Sequence, residues 1–329
     1  MKLNKDIEKL LLPSVRIPPF CPDEYDVDIV ELIKPWQDVK SADVGIVGAP
    51  FDTAVVSRRG SKWGPRAVRE ALIMWSHYHV DREIDLSKDI SIVDFGDIDV
   101  LHTDVYKTHE RVERVLTAIY ELGVVPILIG GDHSLAYPGI KALCNVMEGN
   151  VGMIGFDSHI DVRVNRHGEP SSGTPFRRAL EETGGKVKRI IEIGINGWHN
   201  AKVYHEYTKE KGIKIITARD VHLKGPERVA QEALDFVTDG VDALYMTLDV
   251  DALDISCMSG TCIPSPGGLL AWEGLELVYA FASHPLMRGM DHVEISPSLD
   301  TNNGVSQTTG SALLMEMLAG VKTGKTIIS

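Results

Sequence analysis

Long apolar segments, clustered cysteines and an excess of positive charge are all missing from this chain of 329 residues. A bilayer-spanning helix needs about 18 or more consecutive apolar residues, and the sequence contains no such run. The 4 cysteines are too few and too irregularly spaced for a disulfide framework, which favours a reducing, cytoplasmic location. With 34 Lys and Arg against 47 Asp and Glu, the net charge of −13 argues against a nucleic-acid partner.

Prolines cluster in the N-terminal region. Pro13, Pro18 and Pro19 interrupt the short apolar piece there, so we expect no secretory signal peptide. Farther along, no internal repeat, low-complexity segment or flexible linker divides the chain. We therefore interpret residues 1–40 as an N-terminal arm, broken by its prolines, and residues 41–329 as one domain.

Apolar residues make up 43% of the chain, which is enough for a large buried core and excludes intrinsic disorder. Short β-branched runs alternate with longer amphipathic stretches, a pattern typical of βαβ units and a parallel sheet. The predicted strands are Val44–Val47, Ile90–Val93, Val124–Ile129, Val151–Phe156, Arg189–Ile193, Ile213–Ile216, Ala243–Leu248 and Gly289–Ile295. The predicted helices are Asp104–Leu122, Leu135–Met147, Asn200–Lys211, Glu227–Val237 and Trp272–Ala282. Eight strands are compatible with a closed barrel or an open doubly wound sheet, and periodicity does not separate the two.

Acidic and imidazole side chains follow three of these strands directly. The three motifs are Gly130-Gly131-Asp132-His133, Asp157-Ser158-His159-Ile160-Asp161 and Asp249-Val250-Asp251-Ala252-Leu253-Asp254. Because the carboxyl ends of parallel strands meet at one edge of a sheet, where α/β proteins place their ligands, we expect these side chains to converge.

In extended backbone, side chains alternate between the two sides of the strand, and this alternation predicts which of these side chains point the same way. It predicts that Asp157, His159 and Asp161 point to one side, and that Asp249 and Asp251 do the same. Clustered carboxylates repel one another and are costly to bury. Each motif alone is typical of a turn or a helix cap, but their coincidence at three strand ends indicates two divalent cations. Carboxylate with imidazole suits Mn²⁺, with Ni²⁺ or Co²⁺ as alternatives, and two ions about 3.5–4 Å apart activate a shared hydroxide.

In this order, the motifs resemble those of the ureohydrolase family, which includes arginase, agmatinase, guanidino-acid hydrolases and formimidoylglutamase. The resemblance extends from Val44 to Leu318, and Arg59-Gly60, Gly64-Pro65 and Arg69 match a further family element with an expected structural role. It implies a single-domain, three-layer αβα fold with an eight-stranded parallel sheet, assembled into a homo-oligomer, either a trimer or a hexamer.

The resemblance also implies a ligand set for two Mn²⁺ per subunit. The ligands are His133, Asp157, Asp161 and Asp249 for the first ion, and Asp157, His159, Asp249 and Asp251 for the second. Asp157 and Asp249 then bridge the ions. Asp161 also accepts a hydrogen bond from the bridging hydroxide and passes its proton to the departing amine. Glu294 matches the family glutamate that pairs with the amidinium or guanidinium of the substrate.

The loop after Asp161 separates the members of the family. Arginase and agmatinase usually carry a proton-shuttling histidine there, whereas this chain has Ser172 in a Ser-Gly-Thr-Pro-Phe-Arg pattern similar to formimidoylglutamase. His167 lies in the same loop and is either a substitute shuttle or a solvated residue. Arg163 comes two residues after Asp161, so we expect its guanidinium to face the same mouth and bind a substrate carboxylate. A surface arginine is the alternative.

Together these features predict a metal-dependent hydrolase of C–N bonds in linear amidines, with N-formimidoyl-L-glutamate as substrate and L-glutamate and formamide as products. The substrate is then a small cation that bears a carboxylate, and neither nucleic acid nor membrane is a partner. One alternative is hydrolysis of agmatine, arginine, guanidine or guanidinobutyrate with release of urea. Another is a catalytically silent metal-binding member. Cys257 and Cys262 follow Asp254, and two reduced thiols are a simpler interpretation than a redox pair.

Overall fold

The computed structural model describes residues 1–12, 25, 27–164, 167–301 and 303–328. The strands in this part are β1 (Leu11–Leu12), β2 (Lys34–Pro35), β3 (Val44–Ala49), β4 (Tyr78–His79), β5 (Ile84–Asp85), β6 (Ile92–Ile98), β7 (Val125–Gly130), β8 (Val151–Phe156), β9 (Val187–Ile195), β10 (Lys214–Thr217), β11 (Ala243–Asp249) and β12 (Met287–Val293). The α-helices are α1 (Lys5–Glu8), α2 (Ile29–Leu32), α3 (Gly64–Ala71), α4 (Val105–Glu121), α5 (Ala136–Val146), α6 (Pro175–Glu181), α7 (Lys202–Lys211), α8 (Ala218–Lys224), α9 (Pro226–Val237), α10 (Ala271–Ala282) and α11 (Val305–Ile328).

Eight of the strands form one open parallel sheet. Their order is β6-β3-β7-β12-β11-β8-β9-β10, and each neighbouring pair is parallel. The predicted eight-stranded parallel sheet is confirmed, and of the two arrangements left open by the sequence the doubly wound sheet is the one that forms. The short strands β2 and β1 add to β6, in parallel and antiparallel orientation respectively. Strands β4 and β5 pair with each other.

Helices cover both faces of this sheet because its strands are apolar on both sides. Along β11, Leu244 and Met246 belong to the core formed with α8, α9, α10 and α11. Ala243 and Tyr245 belong to a core on the opposite face, formed with α5 and α6. Burial on both faces accounts for the continuous apolar runs in the sequence, and it produces the predicted three-layer αβα arrangement.

Helix α11 is the longest element and was not predicted from the sequence. Gly320 packs closely against α10, since an added Cβ would lie only 2.4 Å from the Cβ of Ala282. Glycine lowers helix propensity, so the residues that allow this close packing obscure the helical pattern. Although α11 has 24 residues, none of the helices in the described part of the chain is long and apolar enough to cross a membrane.

The N-terminal region packs against the β6 edge of the sheet where the structure describes it. Leu3 and Ile7 are buried in a cluster with Phe95 of β6, and the Trp36 ring stacks on Phe95 with 6.0 Å between ring centroids. The predicted proline break falls within residues 13–22, which lie outside the described residues.

Arg69 joins α3 to β6. Its Nε and Nη2 donate to the carboxylate of Asp94 at 2.8 and 2.9 Å, and its Nη1 donates to Asp97 at 2.6 Å. These contacts give Arg69 the structural role expected for its sequence element.

Candidate metal centre

The polar motifs converge because their strands are neighbours at the centre of the sheet. Strands β7, β12, β11 and β8 are adjacent and parallel, so their carboxyl ends share one edge. The chain passes from β7 directly to β8, while β12 and β11 are later inserted between them. Such a switch point in strand order leaves a crevice at the carboxyl edge, where α/β proteins bind ligands.

Asp157 contacts both histidines of the motifs. Its Oδ2 lies 3.1 Å from Nδ1 of His133, and its Oδ1 lies 3.3 Å from Nδ1 of His159. Asp157 is fully buried. A carboxylate that presents its two oxygens to two separate imidazole nitrogens has the arrangement of a ligand that bridges two cations.

Two groups of candidate ligand atoms share this carboxylate. They are His133, Asp157 and Asp249 in the first group, and Asp157, His159 and Asp251 in the second. Within each group the ligand atoms lie within 4.8 Å of one another. Asp161 lies beside the first group, since its Oδ2 is 3.0 Å from Nδ1 of His133. All six side chains singled out as metal ligands in the sequence therefore come together in the fold.

The backbone at these motifs is turned rather than extended. After β11, residues Val250–Ala252 form a 3-10 helix, and Oδ1 of Asp249 accepts a hydrogen bond from the Asp251 N–H at 2.9 Å. After β8, Oδ1 of Asp157 accepts from the His159 N–H at 2.6 Å. Alternation along an extended chain is therefore the wrong reason for the convergence. Local side-chain-to-backbone turns of the Asx type bring these side chains together instead.

The buried carboxylates perturb one another. Burial, with Asp161 and Asp251 nearby, raises the pKa of Asp157 to about 7. Burial also raises the pKa of Asp249 well above its usual value, and Asp251 and Asp157 add to the effect. Burial acts on Asp251 in the same direction, but without cations the attraction of a protonated His159 and hydrogen bonds from His159 and Ser158 outweigh it and lower the pKa of Asp251. Divalent cations would relieve this repulsion, and the donor set of oxygens and imidazole nitrogens suits them.

Glu294 lies at the end of β12 in a conformation that non-glycine residues rarely adopt. Its φ is +68°, and such strain is found mostly at functional sites. Its Oε1 accepts a hydrogen bond from the His133 N–H at 2.9 Å, whereas its buried Oε2 has no partner in the part of the chain that the structure describes. Burial, followed by the charge of Asp132, raises the pKa of Glu294 well above its usual value. The unpaired oxygen is available to a cationic N–H group.

A chain of hydrogen bonds that begins at Nε2 of His133 was not identified from the sequence. Nε2 of His133 lies 3.1 Å from Oγ1 of Thr247, and that hydroxyl donates to Oδ1 of Asp291 at 2.6 Å. The Tyr245 hydroxyl donates to the other Asp291 oxygen at 2.7 Å. Because Thr247 donates to Asp291, Nε2 of His133 must donate to Thr247, which leaves Nδ1 free to bind a cation. In the sequence, the feature that could have indicated this chain is that Thr247 and Asp291 are single polar residues within apolar strands.

Glu192 is a second residue that the sequence analysis missed. It lies on β9, is fully buried, and neither of its carboxylate oxygens has a hydrogen-bond partner among the described residues. Burial, followed by the charges of Asp157 and Asp161, raises the pKa of Glu192 well above its usual value. The signal in the sequence was a single acidic residue inside the run Arg189–Ile193.

The residues predicted to bind substrate lie in the loop after Asp161. The guanidinium carbon of Arg163 is 5.5 Å from the centroid of the Tyr204 ring, and its buried Nε has no hydrogen-bond partner among the residues that the structure describes. Ser172 is buried, and its Oγ accepts a hydrogen bond from the Val56 N–H at 3.1 Å. His167 is exposed. The loop between Arg163 and His167 includes residues 165–166, which lie outside the described residues.

The two cysteines near the centre are free thiols. Burial, followed by the charge of Asp254, raises the pKa of Cys257 to about 11. Burial and then Glu294 and Asp249 raise the pKa of Cys262 as well. Both side chains are therefore protonated near neutral pH, which agrees with the interpretation of two reduced thiols.

Comparisons with known proteins agree with this geometry. The sequence model of the arginase family matches residues 42–320. A formimidoylglutamase of Halalkalibacterium halodurans is 33% identical over 295 residues, which cover 89% of this chain and 92% of that protein. Other relatives that match most of this chain are guanidino acid hydrolase, agmatinase, guanidinopropionase and guanidinobutyrase.

Solved structures match over a similar extent. The crystal structure of formimidoylglutamase from Bacillus subtilis is 30% identical, has a TM-score of 0.84, and covers 92% of this chain and 94% of that chain. The structure of Trypanosoma cruzi formiminoglutamase with Mn²⁺ is 27% identical, has a TM-score of 0.82, and covers 91% of this chain and 99% of that chain.

Proposed function

Because the chain belongs to the arginase family, we propose that it is a two-metal hydrolase that converts N-formimidoyl-L-glutamate to L-glutamate and formamide. The observation that carries this proposal is the pair of His/Asp ligand groups that share Asp157. Hydrolysis of an amidine C–N bond requires an activated water and a means to protonate the leaving amine, and a binuclear centre with a neighbouring carboxylate supplies both.

The donor set fits two Mn²⁺ ions per subunit, with Ni²⁺ or Co²⁺ as alternatives. The first ion is assigned to His133, Asp157, Asp161 and Asp249, and the second to Asp157, His159, Asp249 and Asp251. The Mn²⁺ in the Trypanosoma cruzi relative supports this choice of metal. When bound, such ions act as Lewis acids and generate a nucleophile from water near neutral pH.

Asp161 is assigned the proton transfer. Its carboxylate is buried beside His133, with 3.0 Å between Oδ2 and the imidazole Nδ1. It takes a proton from the attacking water as the new C–O bond forms. It then gives that proton to the glutamate nitrogen as the C–N bond breaks, so that the amine leaves neutral. The positive charge of the amidinium then resides on the formamide product, which loses it by releasing a proton to water.

Glu294 is assigned to bind the amidinium. Its unpaired Oε2 accepts an N–H from the substrate, and the positive charge of the amidinium stabilises a carboxylate that is otherwise buried among acidic groups. The same pairing orients the electrophilic carbon. A neutral amide gains less from this contact, because it carries no positive charge.

Arg163, Ser172 and His167 are assigned to the mouth of the site. The guanidinium of Arg163 is assigned to bind a substrate carboxylate, since its Nε has no hydrogen-bond partner within the described part of the chain. The Ser172 hydroxyl accepts a hydrogen bond from the Val56 N–H and is assigned to donate its own hydrogen to the substrate. His167 is exposed in the same loop, where it is able to exchange protons with solvent.

A substrate panel tests the choice of substrate. We expect the Mn²⁺-loaded protein to release formamide from N-formimidoyl-L-glutamate and to release no urea from agmatine, arginine, guanidine or guanidinobutyrate. Parallel assays with Ni²⁺ and Co²⁺ identify the effective metal. The guanidino hydrolases among the relatives make urea release the main alternative. Urea release from agmatine, without action on formimidoylglutamate, would overturn the assignment of Arg163, and two bound ions without any hydrolysis would indicate a catalytically silent member.

We also propose a cytoplasmic homo-oligomer, either a trimer or a hexamer. The low cysteine content and the free thiols support a reducing compartment. Light scattering of the purified protein measures the subunit number.

A further inference from the structure

We infer that His199 is a positioning residue for the metal ligand His159, and that it holds the second ion in place without touching it. Nδ1 of His199 lies 3.1 Å from Nε2 of His159. The two rings meet edge to face, with 5.0 Å between centroids and 69° between planes. This inference rests on the two-metal site proposed above.

The proton positions follow from the contacts of His159. Its Nδ1 lies 3.0 Å from Oδ2 of Asp251 and 3.3 Å from Oδ1 of Asp157, so this nitrogen is the one that faces the ligand group. A neutral imidazole that gives its Nδ1 lone pair to a cation carries its hydrogen on Nε2. Nε2 of His159 therefore donates to Nδ1 of His199, and His199 carries its own hydrogen on Nε2.

A partner on the far nitrogen of a ligating histidine selects the tautomer and the orientation of the ring. His133 has such a partner in Thr247. His199 occupies the corresponding place for His159, on the opposite side of Asp157. Each histidine of the centre is thus held through the nitrogen that does not face the ligand group.

The neighbouring residue Asn200 fixes where His199 can lie. Its Oδ1 accepts a hydrogen bond from the Ile160 N–H at 2.6 Å, and its Nδ2 donates to the carbonyl of Ser158 at 2.9 Å. Asn200 therefore hydrogen-bonds to the backbone on both sides of His159, and the adjacent residue His199 contacts the His159 ring. Gly197, at φ +36°, begins the 3-10 helix that carries His199 into this position.

The test measures the affinity of the ion-free protein for Mn²⁺ alone by equilibrium dialysis. His199→Leu removes the acceptor, and we expect the affinity for one of the two ions to fall by about 10- to 100-fold while the other ion binds as in the wild type. His199→Asn offers an amide oxygen near the position of Nδ1, and we expect it to restore most of the affinity. His205→Leu replaces an exposed histidine of α7 as a matched control and leaves both affinities unchanged.

A second readout uses Co²⁺ in place of Mn²⁺. We expect the visible absorption of the Co²⁺-loaded protein to change in His199→Leu and to return in His199→Asn, because the spectrum reports the ligands of the ion. Circular dichroism of the ion-free variants checks that they are folded. If the wild type binds two ions and His199→Leu binds both with unchanged affinity, or if both His199 variants lose the same affinity, the role of His199 is refuted. If the wild type binds fewer than two ions, the proposed two-metal function itself fails.

Discussion

Asp157 presents one oxygen to each of two histidines, and this division of a single carboxylate organises the whole centre. His133 and His159 are in turn held through their other nitrogens, by Thr247 and His199. At the residue scale, the chemistry therefore depends on which atom of each side chain faces the cations. Asp161 differs from the other ligands, because the proposed mechanism also requires it to carry a proton.

Asp161→Asn separates these two roles. The amide keeps an oxygen toward the centre but cannot accept and return a proton, so we expect turnover of formimidoylglutamate to fall by about 10²- to 10⁴-fold. The other five ligands remain, and we expect the metal content to stay close to that of the wild type. Steady-state kinetics and elemental analysis of the same samples measure both quantities. Asp239→Asn, at an exposed carboxylate, is the matched control; turnover near the wild-type level in Asp161→Asn would refute the assigned proton transfer.

At the scale of elements, α4 and α6, which carry no ligand-bearing motif, meet the segment that carries His133 around His109 of α4. Its Nε2 lies 3.0 Å from the Ser134 hydroxyl, in the 3-10 helix His133–Leu135 that carries a ligand. Its Nδ1 accepts a hydrogen bond at 3.1 Å from Nη1 of Arg178 on α6. Burial, and then the charge of Arg178, lower the pKa of His109 from 6.5 to about 3. The neutral imidazole thus joins α4 and α6 to the segment that positions His133.

This contact predicts a pH dependence of stability. Between pH 6.5 and about pH 3 the imidazole of His109 binds a proton in the unfolded chain but not in the folded protein. The free energy of unfolding therefore falls as the pH falls through this window, by up to about 1.4 kcal/mol per pH unit from this group. Above pH 6.5 the contribution is complete.

His109→Gln removes the titrating group. We expect the variant to be less stable than the wild type at pH 7, by about 1–3 kcal/mol because partners lose their hydrogen bonds, and the difference to shrink as the pH falls toward 4. Urea unfolding of the ion-free proteins at several pH values measures this difference in stability. The candidate metal ligands titrate equally in both proteins, so their contribution cancels. His205→Gln, at an exposed histidine of α7, is the control. Parallel pH profiles for wild type and His109→Gln would contradict the assignment.

At the scale of the whole molecule, the fold places acidic side chains of a chain with a net charge of −13 around one buried centre. Asp157, Asp249, Glu192 and Glu294 all have raised pKa values, with burial as the largest cause. Without cations these groups oppose folding near neutral pH, because folding takes them out of water and close together. Cation binding and folding stability are therefore coupled.

Removal of metal with a chelator tests this coupling. A ligand at about 100 times its Kd adds about 2.7 kcal/mol to the free energy of unfolding, so we expect Mn²⁺ to raise the urea midpoint and EDTA to lower it. In Asp249→Asn the dependence on Mn²⁺ should be lost. The ion-free variant should be at least as stable as the ion-free wild type, since one buried carboxyl is replaced by an amide that still accepts from the Asp251 N–H.

Asp239→Asn again serves as the control and should keep the full Mn²⁺ effect. Equal urea midpoints for wild-type protein with Mn²⁺ and with EDTA would show that the buried carboxylates do not need cations. That result would refute the two-metal assignment.

Much of the sheet was predictable because its strands are buried on both faces and read as continuous apolar runs. Val151–Phe156 has the same bounds in the prediction and in the structure, and Ala243–Leu248 is longer by only one residue. Helix α11 was not predictable in the same way, because Gly320 and other residues that permit its close packing lower the helical signal. Hydrophobic periodicity identifies a helix that buries one apolar face. A helix that is buried between several neighbours has no single apolar face and so lacks this pattern.

The identities of the candidate ligands were predictable from the sequence, because polar groups that directly follow buried strands stand out against an apolar background. The reason given for their alignment was wrong at Asp249 and Asp251, where an Asx-type turn replaces extended backbone. Thr247, Asp291 and His199 were not identified, since each lies in a segment with no motif and becomes relevant only through a contact with a distant residue.

The sequence alone determined the α/β class, the residues able to bind cations and the family to which they point, because these depend on the chemistry and spacing of residues close together in the chain. Tertiary structure decided that the sheet stays open, that β12 and β11 separate β7 from β8, and which nitrogen of each histidine faces the carboxylates. Strand order and side-chain pairing result from packing between segments more than 100 residues apart, as between His133 and Thr247 at a separation of 114. The local periodicity of the sequence does not depend on such contacts and therefore does not predict them.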